Sequence, residues 1–294
     1  MFVARNTLQG TGVSVRDHGK AYGSEERLKG TAFLANANHV VWGTFLHEFM
    51  HLWVSDVEVI PSNFTAYWGY CSVGGWLGGF QSDELQSLGD GKYSAGQFEP
   101  HGAPNFVFYS ELEMYLAGWL PASNVPDTWV AEDGEWSKKE LTEEELADCE
   151  IKDSPLAGTL DIDCITEKDD NGNRVFTASK ISSWSIEQVI EKIGPRVPNF
   201  EQSQKEFRVA FVLFPMVGDS FTIKELVVAD LFIEEFSKDS FSPDQLRISI
   251  DDSPSTTYTL RSTKGDKALN YWEATRGRAK MEAGYLQSFR KPAR

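Results

Sequence analysis

Two histidines four residues apart, with a glutamate directly after the first, are the residues best placed for chemistry: His47-Glu48-Phe49-Met50-His51. On a helix, positions i and i+4 share one face about one turn apart, so two imidazoles at this spacing aim nitrogens at a single ion. Neutral imidazole nitrogens suit Zn2+ at about 2.0–2.1 Å. Glu48 projects to one side of the pair, where it acts as a base instead of a ligand. Zinc lowers the pKa of a water it polarises to about 7, which makes hydroxide available near neutral pH. Glu48 would take the proton and pass it to a leaving amine. The competing explanation is a chance match on three fixed positions. Against it, the chain has five histidines and two of them fall here in helical register.

A helix must carry this pair. Residues 40–55 contain no proline, and their one glycine, Gly43, lies near the start. Trp42, Phe45, Leu46, Phe49, Met50 and Trp53 recur at helical spacing and predict an apolar face.

A catalytic zinc takes three protein ligands and keeps one position open. Val54 stands where a turn-forming glycine would lead to a third histidine, and Asp56 follows with no glycine to turn the chain back. A carboxylate on a later helix fits better, and YSELEMYLAG at 109–118 offers Glu111 and Glu113. Two residues apart on a helix is about 200°, so both cannot face one ion. Spacing leaves the choice open, and Ser110 with Glu113 also reads as an S-x-x-E capping box. His101, on a Gly-rich loop, is a further candidate ligand. Tyr109, Tyr115 and Arg196 are the candidates to stabilise an oxyanion.

The rest of the chain gives coarser signals. Residues 27–34 read as a strand. Residues 63–104 are rich in Gly and aromatics and predict turns. Residues 110–120 predict a helix ended by Pro121. Residues 186–193 predict a short helix closed by Gly194-Pro195. Residues 207–214, FRVAFVLF, predict a buried strand, and 221–236 a helix. Residues 246–260 predict two strands and a polar turn. DDNGN at 169–173 predicts a hairpin turn, its spacing being wrong for a calcium loop. Cys149 and Cys164 can pair in an oxidising compartment, leaving Cys71 over; three ordinary thiols are the equal alternative.

Acidic residues outnumber basic ones 44 to 28, a net charge of −16 that repels nucleic-acid phosphates and anionic lipid. No apolar run reaches the roughly 18 residues of a membrane helix. The first residues, MFVARNTLQGTG, lack the apolar stretch of a signal peptide.

LKG at 28–30, GTFLHEFMHLW at 43–53, GGF at 78–80 and YSELEMYLAGWLP at 109–121 together resemble bacterial secreted HExxH metallopeptidase-like proteins of the zincin kind. IGPRVP at 193–198 and SQKEFRVAF at 203–211 fit the same resemblance. It covers much of 20–215 in patches, and the HExxH block is its one sharply diagnostic part. The resemblance implies a gluzincin-like ligand set of His47, His51 and Glu113, with Glu113 favoured over Glu111 by the LExYLxG block at 112–118. It also implies secretion, and a sheet whose edge strand, at 27–34, pairs with an extended substrate. Only 46 residues precede the motif, short for the usual N-terminal sheet and helix.

The expectation is an α+β protein. A zincin-like catalytic portion spans 1–125, a β-rich portion with a charged insertion spans 126–275, and a basic, solvated tail spans 276–294. The expected function is zinc-dependent hydrolysis of peptide bonds. The alternatives are a non-catalytic, zinc-stabilised recognition module that retains the motif, and hydrolysis of a non-peptide amide by the same machinery.

Overall fold

The computed structural model describes residues 1–24, 26–41, 43–99, 107–151, 159–215, 217–241, 246–249, 257–260 and 269–285. Helix makes up 26% and strand 24%, so the chain is neither all-α nor all-β but an α+β mixture. The helices are α1 (Thr44–Met50), α2 (Glu111–Ala117), α3 (Glu143–Asp148), α4 (Ile162–Ile165), α5 (Ile186–Ile193), α6 (Ile223–Ser237) and α7 (Tyr271–Ala274).

Most helix starts follow directly from sequence. Ser110, Thr142, Ser185, Thr222 and Asn270 each cap a helix through the N3 backbone N–H, and a Glu or Gln at N3 returns the bond to the cap. The cap that matters most for the site is Ser110, whose Oγ accepts from Glu113 N at 3.3 Å. Ser110→Ala is expected to lower stability by about 1 kcal/mol, read as a shift in the urea midpoint.

One core spans both halves of the chain. Phe45, Phe49 and Trp53 from the first half pack with Phe207, Phe236 and Tyr271 from the second. The largest sheet also crosses residue 125. Its order is Glu135–Trp136, Val175–Thr177, Lys92–Ala95, Leu85–Gly89, antiparallel throughout. Strand pairing and apolar packing thus both run across residue 125, where the two expected portions meet.

Three local expectations change. The strand expected over 27–34 is reduced to Gly30–Thr31, paired with Phe2–Val3. The strand at Glu206–Phe211 is there, but only Phe207 in it is buried. Its partner is the expected solvated tail: Lys280–Tyr285 pairs with it in parallel register, and Met281 enters the core. The helices expected at 186–193 and 221–236 form, and of the elements expected over 246–260, Leu246–Ser249 pairs with Thr257–Leu260 while the turn between them lies outside the described residues. Asp169 accepts from Asn171 N and Asn173 N, which makes 169–173 a self-bonded turn between bridged Lys168 and Arg174. Cys149 and Cys164 form a disulfide, and Cys71 is a buried free thiol. Among the described residues no helix is long and apolar enough to cross a membrane.

Candidate metal centre

Helix α1 is short but firmly seated. Gly43 precedes it at φ 85°, a left-handed conformation that glycine adopts without strain. Phe45, Leu46, Phe49 and Met50 are buried on its inner side. The Tyr109 hydroxyl, fully buried, donates to Leu46 O at 2.7 Å and ties α2's approach to α1. After Met50 the chain tightens: His51 N, Leu52 N and Trp53 N bond to carbonyls three residues back. His51 is the C-cap at φ −64°, still right-handed, so the i, i+4 geometry survives the end of the helix.

The structure brings His47 and His51 together. Both rings are buried, with centroids 4.9 Å apart and planes at 89°. Each ring is locked by a backbone carbonyl: His47 Nδ1 lies 2.8 Å from Trp76 O, and His51 Nδ1 lies 2.8 Å from Val54 O. A carbonyl only accepts, so each Nδ1 carries the proton and each lone pair sits on Nε2. Burial pushes His51 down to about 4, with its carbonyl partner opposing and the neighbouring His47 adding to the drop. His51 is therefore neutral at pH 7, as a metal ligand must be. Ring orientation by an acceptor on the far nitrogen is the arrangement that metal-binding histidines use.

Glu48 is part-exposed beside the pair, and its carboxylate is ion-paired with the Met1 α-amino group. Tyr67, which sequence reasoning missed, packs on both imidazoles. Its ring is stacked on His47 at 5.8 Å and edge-on to His51 at 5.5 Å. Burial and the nearby Glu48 charge raise its phenol.

Glu113, the expected third ligand, is engaged by hydrogen bonds in this structure. Glu113 is wholly buried, and its two oxygens accept four N–H bonds, from Trp68 Nε1, Trp76 N, Leu77 N and Ser110 N, at 2.9–3.1 Å. A carboxylate has about four lone-pair sites, so none is left to coordinate an ion. Burial raises its pKa while those four donors pull it down. The capping-box reading of Glu113 is the one the structure carries.

The other candidates also have structural partners. Glu111 is ion-paired with Arg276, and Asp56 with Arg16. Arg196 is buried and donates to Leu116 O and Ala117 O, capping the C-terminal end of α2. Tyr109 is committed to Leu46 O. Tyr115 is a core residue whose phenol burial raises. His101 lies outside the described residues.

The nitrogen pair fits a zinc ion in its Nδ1 hydrogen bonds and shared helix face, and His51 also in its neutral state. Among the described residues no group of three His, Cys, Asp or Glu side chains gathers around one ion position; the two histidines are the pair that is brought together. Comparison of the chain with protein-family models, curated proteins and solved structures gives no match.

Proposed function

We propose that this chain is a zinc-dependent peptidase built around a zincin-like metal helix. The observation that carries the reading is the buried imidazole pair of α1, each ring held by a carbonyl on Nδ1. His47 and His51 would hold the ion. When bound, zinc supplies Lewis-acid polarisation of a substrate carbonyl and of water. Glu48, part-exposed next to the pair, would take a proton on its carboxylate and hand it to the leaving amine. Tyr67 covers the two rings and limits the water that reaches them.

A protein or peptide is the partner this chemistry implies. The Cys149–Cys164 disulfide supports an oxidising, extracellular setting. The acidic surface argues against nucleic acid as a partner.

The test is zinc stoichiometry by elemental analysis together with casein hydrolysis before and after chelation. His51→Ala is expected to weaken zinc binding by more than the about 10- to 100-fold typical of losing an outer-sphere partner. Hydrolysis should stop with it. A wild-type protein that takes up no zinc, or whose hydrolysis survives chelation, would overturn the reading.

A further inference from the structure

Glu113 is a buried carboxylate that the proposed chemistry does not use, yet its hydrogen bonds lead straight to the histidine pair. Its Oε2 accepts from Trp76 N at 3.1 Å, and the carbonyl of the same residue holds His47 Nδ1 at 2.8 Å. Its Oε1 accepts from Leu77 N and from Trp68 Nε1, each at 2.9 Å. Trp68 N in turn donates to Leu77 O at 3.0 Å, and the residue before it, Tyr67, lies on both imidazoles. Glu113 therefore pins the two segments that surround the histidines.

The packing around the carboxylate is tight. A Cβ on Gly75 would stand 2.1 Å from Glu113 Oε2, so only glycine lets the 75–78 turn close over it. That turn is itself clamped by reciprocal Gly75–Gly78 backbone bonds of 3.2 Å. Hydrogen bonds to a charged acceptor are roughly twice as strong as neutral ones, and four converge here. His51 takes no part in this arrangement. Its Nδ1 acceptor is Val54 O, three residues along its own chain.

We propose that Glu113 is a positioning residue for His47, fixing through the Trp76 backbone the ring orientation with which His47 meets the metal. This rests on the metal-site reading above. It assigns to Glu113 a hydrogen-bonded action on His47 alone, His51 being met only through the Tyr67 ring, an asymmetry that a general contribution to stability would not show.

The experiment uses 15N-labelled apoprotein of wild type and Glu113→Gln. The amide keeps the shape of the side chain, loses the charge, and turns an N–H toward groups that are themselves donors. Two readouts are taken: the Nδ1–H resonances of His47 and His51 without metal, and the zinc dissociation constant. The expected result is a lost or shifted His47 signal, an unchanged His51 signal, and zinc bound about 10- to 100-fold more weakly. Phe232→Leu, a buried change in α6, is the destabilised control and should leave zinc affinity unaltered. If Glu113→Gln does not fold by circular dichroism, Trp68→Phe removes one of the four donors. Its His47 signal should move further than its His51 signal, with a smaller affinity loss.

A folded variant with wild-type zinc affinity overturns the proposal and leaves the metal site standing. Equal disturbance of both histidines also overturns it, because that is the mark of general loosening. Wild-type apoprotein that binds no zinc removes the metal-site reading and this one with it.

Discussion

Glu48→Gln is expected to bind zinc with wild-type stoichiometry and to hydrolyse casein about 100- to 10,000-fold more slowly, the range lost with a general base. The argument is positional. The Glu48 side chain keeps 22% of its surface exposed and is not part of the apolar core, so glutamine fills its place without a cavity. Neither imidazole uses it as the acceptor for Nδ1, so ring orientation is preserved. What the amide lacks is a basic lone pair. His51→Ala should lose metal and turnover together, whereas Glu48→Gln should separate them. Elemental analysis and casein assays at saturating zinc check the pair, and equal turnover in Glu48→Gln and wild type would sink the proposed role.

The histidine pair was legible because its signal is local. One turn of helix suffices to bring i and i+4 together, and His51 satisfies this even as a C-cap. The same holds for α5, where Ser185 and Gln188 form the cap and Gly194 ends the helix where the sequence predicts. The groups that orient the two rings were not legible, because they are backbone carbonyls of Trp76 and Val54, and a carbonyl has no residue type. Tyr67 escaped for a related reason: it lies in a stretch without period, and bonds far apart in sequence bring it to the site, those of Trp68 to Glu113 and Leu77 among them.

Glu113 shows how one pattern supports two physical outcomes. S-x-x-E is both a helix cap and a carboxylate on a later helix. The choice between them lay with Trp68, Trp76 and Leu77, some 36 to 45 residues upstream. The parallel pairing of Glu206–Phe211 with Lys280–Tyr285 is a further non-local event. Apolar period predicts a strand at the first segment, but the second, KMEAGY, has no apolar run and lies within a tail that is basic as a whole, which conceals its partner. With a single paired neighbour, the first strand also leaves most of its side chains part-exposed, which is why FRVAFVLF is less buried than its composition implies.

Trp119→Ala is expected to cost about 3–5 kcal/mol, a large share of the roughly 5–15 kcal/mol that holds a domain together. Trp119 is fully buried just after α2. Its ring meets Trp53 at 5.0 Å, Tyr109 at 5.4 Å, Tyr271 at 5.7 Å and Phe207 at 6.1 Å. It thus joins the turn after α1, the segment entering α2, α7 and the strand at Glu206–Phe211, and alanine would leave a cavity at that junction. Trp119→Phe should cost far less, about 1–2 kcal/mol. The indole Nε1 is buried and without a hydrogen-bond partner among the described residues, so phenylalanine removes volume but no bond. Urea unfolding with an unchanged slope measures both values. A Trp119→Ala loss under about 1 kcal/mol would mean that the site collapses around the missing ring. Zinc affinity of Trp119→Phe should equal wild type, because phenylalanine keeps a ring against Trp53 and Tyr109 and so leaves the segments that carry the orienting carbonyls in place.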